Sequence, residues 1–195
     1  MQNLQVMIDQ LTKGRHLHIS ILDLTGILNN TMTEISFKNV IHSKRFCDIA
    51  KSTDKGYRTC LRCKMLANTK AIHEKMPFYG HCIYGLCEAV FPVVMNETVF
   101  AVVYIGNAVI DKKQTTERIK KVCSYTGVNF YKLKKEINQC EYTKNAAELL
   151  QIAELVSDYL KLLYEHAPPT TKKLHWLVSV MKCFADEMYC SNISL

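Results

Sequence analysis

The 195-residue sequence predicts an α+β domain: an antiparallel sheet flanked by helices and followed by a long C-terminal helix. Three observations predict it. Two short runs rich in Val and Phe, 86–95 and 98–106, are separated only by Asn96-Glu97, as the arms of a hairpin should be. Charged segments with helical periodicity lie on both sides of that hairpin. A stripe of apolar residues at alternating three- and four-residue steps then runs through 143–165.

The elements follow in order. Residues 2–12 place Leu4, Met7, Ile8 and Leu11 at helical spacing, with Gly14 as a stop. Residues 16–24 are Ile- and Leu-rich and meet Thr25-Gly26, which predicts a strand entering a turn. The polar 28–37 segment reads as loop. Helices are expected over 43–51 and 54–75, the second ended by Met76-Pro77. After the hairpin, a helix over 111–126 closes at Gly127, and a short one covers 130–137. Within 143–165, Ala146, Leu149, Ala153, Val156, Leu160 and Leu163 form an a/d seam. Such a seam serves either a partner helix or the helix's own domain. Leu150, Ile152 and Leu162 widen it toward docking combined with homodimer formation. Pro168-Pro169 then breaks the chain, and Thr170-Thr171 can cap a last helix near 172–190.

Composition narrows the function classes. At 48% hydrophobic and 22% charged residues, the chain is not a disordered one. No apolar run approaches the roughly 18–20 residues that cross a bilayer, and residues 1–5 do not open a secretory signal. A cytoplasmic protein with no membrane partner is expected. The net charge of +7 is concentrated: residues 38–75 hold ten Lys or Arg against three acids, and 111–136 hold eight against three. Such stretches can meet nucleic acid or an acidic partner, but a solvated helix face is the simpler reading.

Nine cysteines in a chain without an export signal point to metal or redox chemistry before disulfides. Cys47, Cys60, Cys63 and Cys82 form the strongest set. Cys60 and Cys63 make a C-x-x-C pair with Arg58, Arg62 and Lys64 around it, and positive charge favours the thiolate. Four thiolates suit zinc or an iron–sulfur cluster, although the second C-x-x-C of a zinc ribbon is missing. The competing reading is four small buried hydrophobes. A thioredoxin-like role is weaker, because no βαβ pattern precedes the pair. Cys123, Cys140, Cys183 and Cys190 read as packing residues.

The segment Tyr79-Gly80-His81-Cys82-Ile83-Tyr84-Gly85-Leu86 combines glycines with polar-tipped rings, which suits a pocket wall. His16, His18, His42 and His73 each read as structural. G-x-S-x-G, the P-loop, G-x-G-x-x-G and H-E-x-x-H are all missing, and His81 with Cys82 would point to opposite faces of a strand, so no enzyme is expected.

Phe46-Cys47, Cys60, Cys63, Pro77 with Tyr79, Cys82, Gly85-Leu86, Pro92-Val93 and Gly106 follow one another as in the PocR sensory domain, which this chain resembles over 46–106. The family commonly reads Cys-His-Ala-Gly-Leu where this chain has Cys82-Ile83-Tyr84-Gly85-Leu86. The resemblance implies a PAS-like module that binds a small organic effector such as a short diol. Phe46, Tyr79, His81, Tyr84 and Gly85 are then the candidate ligand-binding residues. Residues 182–195 resemble the entrance to an AraC-type helix-turn-helix domain, whose DNA-reading helix is expected beyond residue 195. The implied organisation is a sensory domain over 1–140, a signalling and dimerisation helix over 141–166, and a linker with the first helix of a truncated DNA-binding domain over 167–195. The protein is expected to be a transcriptional regulator that reaches DNA only through that last domain.

Overall fold

The computed structural model describes residues 2–28 and 30–166. The expected helix at 172–190, the AraC-like segment, Cys183 and Cys190 lie outside the described residues.

Helix α1 (Leu4–Thr12) starts where the Asn3 side chain accepts the Val6 N–H, and it buries Leu4 and Ile8. Strand β1 (His18–Asp23) ends at a buried carboxylate. Asp23 Oδ1 accepts the backbone N–H groups of Thr25, Gly26 and Ile27, and Oδ2 accepts that of Leu28, so one side chain shapes the whole turn. A single helical turn, α2 (Phe37–Val40), follows the stretch read as loop and is held to β1 by the Asn39 side chain donating to the Ile19 carbonyl. Helices α3 (Arg45–Ala50) and α4 (Asp54–Glu74) follow. Gly56 lets them approach closely: a Cβ there would lie 2.4 Å from the Ala50 carbonyl oxygen.

The sheet has five strands among the described residues. Strands β3 (Cys87–Met95) and β4 (Thr98–Val109) form the expected hairpin, with Asn96 and Glu97 both at positive φ, the requirement of a two-residue type I′ turn. Two strands were not legible in the sequence: β2 (Phe78–His81), antiparallel to β3, and β5 (Glu141–Tyr142), parallel to the end of β4. The main order is β1-β4-β3-β2, which makes β4 central and buries it on both faces. Between Cys87 and Ala89 the β3–β4 register slips, and Asn107 on the opposing strand takes φ 67°, so a bulge sits beside Glu88.

Helix α5 (Lys112–Thr126) is capped by Asp111, which accepts the N–H groups of Lys113 and Gln114, and it stops at Gly127 in the left-handed region. Helix α6 (Phe130–Glu136) packs with α3 and α5. The long helix α7 (Ala146–His166) lies across β3 and β4. Leu149, Ala153, Val156, Leu160 and Leu163 are at most 1% exposed in one core with Ile19, Ile21, Ala89, Val93 and Val103. The seam is therefore covered by the chain's own sheet and is not open to a partner helix. An a/d row and a docking stripe differ by only about 20° per heptad, so the sequence could not separate them.

Each sheet face has its own cover. α1 and α7 fill one face, while Val90, Val102 and Tyr104 look the other way toward Ala67 and Ala71 of α4. A third cluster around Phe46, Tyr84, Ile119 and Leu133 ties α3, α5 and α6 to the end of the sheet. This is an α+β, PAS-like architecture.

Candidate ligand-binding site

The α4 face of the sheet is not filled. A cavity of about 270 Å³ lies between α3, α4, the 82–86 turn and β3. Phe46, Ala67, Phe78, Leu86 and Val90 give it an apolar wall. A buried aromatic pair holds one end: Phe46 meets Tyr84 edge-on at 6.3 Å, and the Tyr84 hydroxyl donates to the Ala50 carbonyl at 3.0 Å.

Against that apolar wall stands one polar cluster. Lys64 Nζ lies 3.3 Å from Glu88 Oε1 and 2.9 Å from the centre of the Tyr104 ring. His42 Nδ1 is 3.5 Å from the same carboxylate oxygen, while His42 Nε2 is 3.9 Å from Cys47 Sγ. His42 also stacks on His18 at 4.9 Å. Burial, reinforced by the Lys64 charge, lowers His42 to about 3, and burial with the neighbouring His42 lowers His18 to about 3, so both rings are neutral at pH 7. Burial also lowers the Lys64 pKa, against the opposing pull of Glu88. Gly106 gives the cluster room: a Cβ there would lie 3.1 Å from Glu88 Oε1 and 3.4 Å from the His42 ring. The wall thus offers a carboxylate acceptor, an ammonium donor and a neutral imidazole to one small ligand.

Of the residues singled out in the sequence, Phe46, His81 and Tyr84 line the cavity. Tyr79 does not; it is 53% exposed on an outer position of β2. Gly85 does not either. Its φ of 91° makes the tight turn, and a Cβ there would lie 3.2 Å from Arg118 Cδ and 3.5 Å from the Thr115 Cα of α5. Cys47, Cys60, Cys63 and Cys82 all line the cavity. However, among the described residues no three His, Cys, Asp or Glu side chains are placed to hold one ion. Burial pushes the Cys47 thiol well up, raises Cys60 and raises Cys82 to about 12. As they stand, the four cysteines do not fit zinc or an iron–sulfur cluster.

Sequence reasoning missed Glu88 and the joining of Lys64, His42 and His18 around it. One signal was present: Glu88 is a lone carboxylate at the head of an otherwise apolar strand. A second, more polar cavity of about 490 Å³ shares Phe46 and Asn107 with the first and carries the Arg45–Glu136 ion pair at 3.1 Å.

A twisted antiparallel sheet packed dry on one face and hollow on the other, with one polar cluster in the hollow, defines a ligand-sensing module of PAS-like type. The family model for the sensory domain found in PocR matches residues 1–167, and the chain belongs to that family. That span includes α7. No curated protein and no solved structure matches the chain. Among the described residues, no helix is long and apolar enough to cross a membrane.

Proposed function

We propose that this domain binds a small organic effector of the short-diol type in the α4-side cavity, without turning it over. It then signals to an AraC-type DNA-binding domain within a cytoplasmic homodimeric regulator. The observation that carries the reading is the Lys64–Glu88–His42 cluster facing an apolar chamber in a PocR sensory domain. A short diol offers hydroxyls that donate to Glu88 and accept from Lys64, while its carbon chain meets Val90 and Phe78.

The route out of the cavity is one strand thick. Glu88 and Val90 of β3 line the chamber, and Ala89 and Val93 of the same strand pack in the α7 core. A ligand that favours one setting of β3 therefore biases the seat of α7. It shifts that equilibrium only by its differential affinity for the two settings, about 1–3 kcal/mol for a working switch.

The test is thermal unfolding with a series of short diols, repeated on Ala67→Phe, which fills the chamber from α4. A dose-dependent rise in Tm for the wild type that is absent in the filled variant supports the reading. The same rise in both places the ligand elsewhere.

A further inference from the structure

The second cavity, of about 490 Å³, is distinct from the effector chamber but shares Phe46 and Asn107 with it. It forms where α3 packs on α6: Lys44 and Arg45 come from the start of α3, Lys135 and Glu136 from the end of α6, and Asn107 from the β4 bulge. Three cations and one acid therefore line one concavity. The acid is already matched, since Arg45 Nε lies 3.1 Å from Glu136 Oε1, and that carboxylate is only 9% exposed. Lys44 and Lys135 are different. Among the described residues neither ammonium group has a carboxylate within ion-pair distance or a hydrogen-bond partner, although Lys44 is half-buried. The cation of the first cavity, Lys64, is by contrast committed to Glu88 at 3.3 Å. Asn107 adds a further donor. It is 2% exposed, its amide gives one hydrogen to the His16 carbonyl at 3.2 Å and its oxygen accepts from the Cys140 thiol at 3.6 Å. Its second N–H has no partner among the described residues.

What such a lining recognises follows from its charge. The Arg45–Glu136 pair is neutral as a unit, which leaves two uncompensated ammonium groups beside a guanidinium whose five donors are only partly used. The complement is a small, doubly negative group whose oxygens accept from ammonium and amide N–H. Solvation is the ordinary fate of a surface lysine, but these two stand on different helices and line one cavity with an unsatisfied buried donor. We propose that this cavity is a second binding site, taking a small dianion such as a phosphate monoester or a short dicarboxylate. The inference does not depend on which effector the first cavity takes. An anion held here does lie against Phe46 and Asn107, which also line the effector chamber.

The experiment is an NMR titration of the labelled full chain with methyl phosphate and with succinate, both dianions at about pH 8. Ionic strength is held constant, and acetate serves as the monoanion control. The variants are Lys44→Gln, Lys135→Gln, Glu136→Gln and Lys121→Gln, the last on the exposed side of α5 and outside the cavity. The expected result is saturable shifts at residues 44–46, 107 and 135–136, with a midpoint below about 10 mM for at least one dianion. Binding should weaken roughly fivefold in Lys44→Gln and in Lys135→Gln, tighten in Glu136→Gln and stay unchanged in Lys121→Gln. The tighter of the two dianions tells a phosphate site from a dicarboxylate site. Spectra without anion check that each variant is folded, and the two lysine variants with the Lys121→Gln control decide the matter if Glu136→Gln is not. No saturation with either dianion overturns the proposal, as does acetate binding equally well. Equal weakening by Lys121→Gln also overturns it, since that marks a diffuse basic face such as a nucleic acid would meet. So do shifts confined to residues 42, 64 and 88, which would put the anion in the first cavity.

Discussion

The two faces of one sheet are built to opposite ends. Toward α7, Ile19, Ile21, Ala89, Val93 and Val103 meet Leu149, Ala153, Val156 and Leu160, all at or near zero exposure, in one apolar core. Toward α4, the same strands present Glu88 beside a chamber, with two neutral histidines and an ammonium around it. One face carries stability and the other gives up packing for a place to bind. Because β3 belongs to both, the binding face cannot change without the packed face registering it.

This contrast can be broken from either side, and the largest effect is expected on the packed face. Leu160→Ala should cost about 2–5 kcal/mol, since a fully buried leucine leaves a cavity that a helix and sheet close only in part. Urea unfolding measures this, and because coupling through β3 is reciprocal, the diol affinity of the folded fraction should shift with it.

The hollow face should show itself in pH. His18 and His42 sit near 3 when folded and near 6.5 when unfolded, so between those values the unfolded chain binds more protons. Stability from this pair is complete above about pH 6.5 and falls as the pH drops toward 3. Unfolding at pH 5 should take up close to two protons from these rings, and His18→Gln/His42→Gln should flatten that slope. An unchanged slope in the double variant would assign the acid sensitivity to other groups.

Smaller effects refine the picture of the packed face. Ser157 is fully buried on α7, and among the described residues its hydroxyl has no hydrogen-bond partner. Ser157→Ala removes that unsatisfied group and should stabilise the fold by about 1 kcal/mol. Glu97→Gly should add a similar or smaller amount, because Glu97 holds φ 61° in the hairpin turn where glycine meets no steric penalty. Thermal unfolding of both variants checks the sign.

Much of the fold was legible because its signals are local. The β3–β4 hairpin lay in two β-branched runs and a two-residue link, α5 in Asp111 and Gly127, and α7 in its stripe. The misses were elements too short to carry a period, the four-residue β2 and the two-residue β5. The direction of the α7 stripe also stayed open, since docking and coiled-coil spacing nearly coincide. The site was half legible. Phe46, Tyr84 and the four cysteines announce a special wall, yet its working polar cluster joins residues 18, 42, 64 and 88, which only the fold brings together. Tyr79 misled because on the edge strand β2 it stands exposed rather than in the cavity, and Gly85 because a turn needs glycine as much as a binding wall does.

The most direct test of the cavity is an NMR titration of the isotopically labelled chain with 1,2-butanediol. The account predicts saturable shifts centred on residues 42, 47, 64 and 88, with weaker ones passing through 89 and 93 to α7. Saturable shifts confined to another surface, or none at concentrations that stabilise the protein, would contradict it.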